Sequence, residues 1–138
     1  MLKLESLRND LLTSADGERV ESNAFPGVAY HVRSLRFPAY ETARDLAAQK
    51  MAKAYPNGGI PSALTMKTVG ELISDHILLG WEGLDVPYTK DRAREILSDF
   101  GYRKVVNDIE SCAARVGERD LEFIEDTAKN SGQPSAMS

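Results

Sequence analysis

At 138 residues and 15.2 kDa the chain is one domain long, enough to bury a core without staples. Its 42% hydrophobic and 28% charged residues exclude wholesale disorder, a collagen-like rod and a low-complexity scaffold. A single cysteine, Cys112, excludes an internal disulfide framework and points to a reducing compartment. The net charge of −4 is uneven, with +1 on residues 1–60 and −5 on residues 61–138, which argues against nucleic acid as a partner. The most apolar stretch, residues 77–81, is closed off by Asp75 and Glu82, well short of the ~20 apolar residues that cross a bilayer. Glu5 and Asp10 come too early for a signal peptide, so neither a leader nor a membrane partner is expected.

Leu4, Leu7 and Leu11 share one helical face before the turn signal Asp16-Gly17. Two extended segments then flank Phe25-Pro26-Gly27, the first over about residues 18–23. The second alternates, with Val28, Tyr30 and Val32 on one side and His31 on the other. A two-stranded ribbon is unstable alone, so it must lie on helices or pair with another chain. Beyond Pro38 the period becomes helical, with Tyr40, Ala43, Ala47, Met51 and Ala54 on one face, ended by Pro56-Asn57-Gly58-Gly59. A second helical face runs through Val69, Leu72, Ile73, His76, Ile77 and Gly80, with Thr65 or Thr68 as its cap. Thr89 caps a third helix with Ala93, Ile96, Leu97 and Phe100 inward, stopped at Gly101. A fourth uses Val105, Ile109, Cys112 and Val116, and a fifth Leu121, Ile124 and Ala128. The expected fold class is α+β, mainly α: about five helices with an N-terminal two-stranded ribbon. Residues 1–130 form one domain and residues 131–138 a flexible tail.

Catalytic and metal-binding signals are weak. Neither His31 nor His76 sits in a metal-ligand spacing, and Cys112 falls on an inward helix face, where a small core residue belongs. Gly58-Gly59 lacks the Lys-Ser/Thr that completes a phosphate loop. No catalytic residue, cofactor or metal is expected. Two features stand out instead. Trp81 lies between Gly80 and Gly83, placed either to plug the core or to anchor an interface. Residues 118–126 hold five acids and one arginine, as a solvated helix face or a landing strip for a basic partner.

Taken in order, several short pieces resemble the tail assembly chaperones of long-tailed bacteriophages and their prophage relatives. They are Asp16-Gly17-Glu18, Pro26-Gly27-Val28, Val32-Arg33-Ser34-Leu35, Tyr40, Leu79-Gly80-Trp81-Glu82-Gly83, Pro87-Tyr88-Thr89 and Glu125-Asp126-Thr127-Ala128-Lys129-Asn130. The resemblance spans about residues 7–130. It implies a non-enzymatic protein of the host bacterial cytoplasm, absent from the mature virion. Such a protein binds the tape measure protein, keeps its helical segments from aggregating and helps recruit tail tube protein. The alternative class is a structural head–tail or tail-completion protein that stays in the virion.

The resemblance also implies a longer form made by ribosomal slippage. Ala128-Lys129-Asn130 can be encoded by a slippery run of adenines, beyond which residues 131–138 would be replaced by a further domain. The family fixes no contact residues, so those named here rest on charge and exposure. Arg33, Arg36 and Arg44 (with Lys53) form a basic N-terminal set. Glu118, Asp120, Glu122 and Glu125 form an acidic C-terminal set. Joined head to tail between copies, these sets would build a homo-oligomeric ring or spiral.

Overall fold

The computed structural model describes residues 15–116. Three strands, β1 (Glu18–Glu21), β2 (Ala29–Val32) and β3 (Leu78–Glu82), form one antiparallel sheet in that order. Four α-helices pack with it: α1 (Pro38–Ala54), α2 (Ser62–Leu72), α3 (Lys90–Leu97) and α4 (Arg103–Ala114). The α+β, mainly α class holds. The expected fifth helix, the amphipathic run from Leu4 to Leu11 and the tail of residues 131–138 lie outside the described residues.

The ribbon is in fact a three-stranded sheet, because the segment expected to complete the second helix becomes β3. After Leu72 the backbone widens into a π-turn at Ile73–Ile77 and then extends. Tertiary pairing overrides the helical period here. Tyr30 pairs with Trp81 and Ala29 with Glu82, which satisfies the β2 edge that a two-stranded ribbon would leave open. Between His31–Gly80 and Val32–Leu78 the register slips by one residue, so Leu79 forms a bulge. Across the sheet Arg19 donates to Glu82 at 3.1 Å.

Val20, Tyr30, Val32 and Leu78 from the sheet meet Ile73, Ile77, Ala93, Leu97, Val106, Ile109, Cys112 and Ala113 in one core. Each fully buried Ile, Leu or Val there contributes about 1.5–3 kcal/mol. Cys112 is buried on the inward face of α4. Within this apolar set sits a carboxylate, Asp108, only 5% exposed. It accepts hydrogen bonds from the Tyr30 hydroxyl at 2.7 Å, from Ser22 Oγ, and from the backbone N–H groups of Asn23 and Ala24 at 3.2 Å. Burial first, and the neighbouring Asp108 second, push the Tyr30 phenol far above its ordinary range.

Helix ends follow local chemistry only in part. Thr89 caps α3, accepting from the Arg92 N–H at 3.1 Å. Thr65 and Thr68 do not cap α2, which starts earlier, at Ser62 after Pro61. Both hydroxyls instead donate back to carbonyls one turn earlier, Pro61 and Leu64. The third helix stops at Leu97 rather than Gly101, and Phe100, expected inward, lies in a 3-10 turn at 40% exposure.

Candidate functional site

Helix α1 is 17 residues long, yet Tyr40 is its one buried residue. Its formation owes more to local chemistry than to burial. Pro38 sits at the first turn, Glu41 follows in that turn, Lys53 stands in the last, and alanines fill much of the length. Pro56, Gly58 and Gly59 then reverse the chain into α2, both glycines adopting left-handed backbone.

The hairpin leaves an open groove of about 390 Å³ between the two helices. On α1 and the turn after it the lining is Ala47, Lys50, Met51, Ala54 and Tyr55, a row at i, i+3, i+4, i+7 and i+8. On α2 it is Leu64, Thr68, Glu71 and Leu72, one helical face. Thr68 spends its hydroxyl proton on the Leu64 carbonyl at 2.9 Å. Asp75 of the π-turn and Arg94 of α3 close one end. Arg94 donates through Nε to Asp75 at 3.1 Å and through Nη2 to Glu71, and these two carboxylates, Asp75 first, hold its guanidinium more firmly charged. The groove therefore offers apolar walls, a saturated ionic cluster at one end and Lys50 at the rim. Its lining contains no serine, histidine or cysteine. The walls match about two turns of a helix, roughly 12 Å at 1.5 Å per residue. Such a surface suits the apolar stripe of an amphipathic helix.

The sequence-expected contact residues sit elsewhere. Arg33 is half-buried and its guanidinium is engaged within the chain. It donates to the carbonyls of Ala15 at 2.7 Å and His76 at 3.1 Å, and lies 4.5 Å from the centre of the Phe37 ring. Arg36 is exposed in the turn before α1. Arg44 is exposed on α1 between Glu41 and Asp45, at 4.0 and 3.7 Å. These three arginines border the start of α1, and none lines the groove. Glu118, Asp120, Glu122 and Glu125 lie outside the described residues. Sequence reasoning missed the groove because its apolar lining is alanine, methionine, leucine and one tyrosine at ordinary helical spacing. The weak amphipathicity of α1 was the available signal.

Trp81 packs against the core, the first of the two roles foreseen for it. Its ring is half-buried against the core, Nε1 donates to the Val86 carbonyl at 2.6 Å, and Tyr88 meets it edge-on at 5.1 Å. It fastens the loop after β3 to the sheet. Gly83 begins that loop with a φ of 84°, where a Cβ would stand 2.1 Å from the Gly27 carbonyl oxygen. Trp81→Ala should cost about 2–4 kcal/mol, below the range for a wholly buried tryptophan. Urea melts measure this, and an unchanged midpoint would contradict the fastening role.

Among the described residues no helix is long and apolar enough to cross a membrane, and no three His, Cys, Asp or Glu side chains are placed to hold a metal ion. A family model described as YdaY prophage protein matches residues 35–130, which include α1, α2, β3, α3 and α4. Neither a curated protein nor a solved structure matches the chain.

Proposed function

The chain belongs to the YdaY prophage protein family, and on that premise we propose that it is a non-enzymatic tail assembly chaperone whose α1–α2 groove holds helical segments of the tape measure protein. The observation that carries this reading is the groove itself, two turns long, apolar along both walls and open to solvent. A tape measure is a long helical client with apolar stripes that would self-associate before the tail tube encloses them. A shallow cleft binds such a stripe weakly, and many copies along one client bind it firmly through avidity. The protein then acts in the host cytoplasm, helps recruit tail tube protein and leaves before the virion is complete. A longer slippage product would carry further tail contacts.

The test is co-expression with the tape measure protein of the same prophage. The expected result is soluble tape measure with the native chain and aggregated tape measure with Met51→Glu/Leu64→Glu, provided both chaperone forms melt alike. These positions are half-exposed, so the charges reach solvent. Mass spectrometry of purified particles separates the alternative. Stoichiometric amounts of the protein in virions would instead make it a structural tail-completion protein.

A further inference from the structure

The charges around the groove are not balanced. Its two acids, Glu71 and Asp75, are both committed to Arg94. Lys50 on the lining, with exposed Lys53 and Lys67 on the same two helices, has no carboxylate partner among the described residues. An occupant with an apolar stripe beside a row of acids would satisfy both the walls and these lysines.

The chain encodes such a segment. Leu121, Ile124 and Ala128 recur at i, i+3 and i+7, matching a groove two turns long. Glu118, Glu122 and Glu125 recur at i, i+4 and i+7, a carboxylate row about 90° around a helix from the apolar one. We propose that residues 117–130 of a second copy occupy the α1–α2 groove when no client is bound. A neighbouring copy is the better donor than the chain itself. The end of α4 is tied to β1, where Arg115 Nη2 donates to the Glu21 carbonyl at 2.7 Å, and neither α4 nor β1 lines the groove. Because groove and segment are different surfaces, the contact is head to tail. It propagates into a ring or an open spiral and does not close as a two-fold dimer. Client helices displace it by mass action, so assembly and loading compete for one site. This rests on reading the groove as a helix-binding cleft, but not on the identity of the client.

The test uses the full chain in three forms: native, Lys50→Glu/Lys53→Glu and Leu121→Glu/Ile124→Glu. A fluorescently labelled peptide of residues 117–130 is titrated with each, and light scattering follows mass against concentration. The native chain should grow in mass with concentration at low salt, and both variants should stay monomeric. The peptide should bind the Leu121→Glu/Ile124→Glu form, whose groove is vacant, and bind the lysine-reversed form at least tenfold more weakly. Equal binding to both variants, no binding to either, or a native chain monomeric at every concentration would overturn the proposal. Failure of the client reading looks different. Tape measure protein would then stay insoluble with all three forms while the peptide binds as described.

Discussion

Gly70→Ala should destabilise the protein by about 3 kcal/mol or more, the upper range for overpacking a tight contact. At Gly70 the last turn of α2 crosses the end of α3 so closely that an added Cβ would lie 1.7 Å from the Leu97 carbonyl oxygen and 2.5 Å from its carbon. The atoms in the way are backbone, so no side chain can swing aside, and the two helices must separate. That crossing also carries Arg94 to Glu71 and Asp75, so the ionic end of the groove would open with it. Gly58→Ala is the control. Gly58 has a φ of 80° but open space around it, and its replacement should cost about 1 kcal/mol through backbone strain alone. Equal urea midpoints for the two variants would contradict the close crossing.

Asp108→Ala should cost about 4 kcal/mol, because it strands several donors at once. The Tyr30 hydroxyl and Ser22 Oγ would lose their carboxylate, and the N–H groups of Asn23 and Ala24 would lose their acceptor. Asp108→Asn keeps one acceptor oxygen and should cost less. Tyr30→Phe, which removes one donor and leaves three, should cost about 1–2 kcal/mol. The same cluster sets an alkaline limit. Tyr30 has a raised folded-state pKa, so its contribution is whole below the ordinary phenol value near pH 10 and is lost as pH rises above it. Tyr40 and Tyr88, also raised by burial, act with the same sign. Comparing urea melts at pH 9 and pH 11, the native protein should lose stability and Tyr30→Phe should lose less. An equal loss in both would remove Tyr30 from the account.

Much of the fold was legible because period and punctuation agreed. The alternation of Val28, Tyr30 and Val32 marked β2, Pro38 and the alanines marked α1, and Thr89 marked the start of α3. What stayed hidden depended on distant partners. The helical face read from Val69 runs on to Gly80, yet residues 78–82 become a strand because β2 supplies backbone partners that no local pattern encodes. Asp108 reads as one more acid on a charged helix, although it lies one turn before the buried Cys112, on the inward face. Its acceptors are spoken for by Ser22, Asn23, Ala24 and Tyr30, about 80 residues earlier in the chain. The groove was least visible of all. It is made by what α1 fails to bury, and a helix of modest amphipathicity looks the same in sequence whether its face is solvated or waiting for a partner. Trp81 was found because a lone tryptophan between glycines is unusual, while its bond to the Val86 carbonyl depends on the path of the loop beyond Gly83.

Hydrogen exchange of the full chain, alone and with a purified helical segment of the tape measure protein, reads occupancy of the groove along both helices. Binding in the groove predicts slower exchange in the second half of α1, residues 47–55, and in α2, residues 64–72, with the sheet unchanged. Protection confined to the sheet, or no change along either helix while the client is bound, would contradict it.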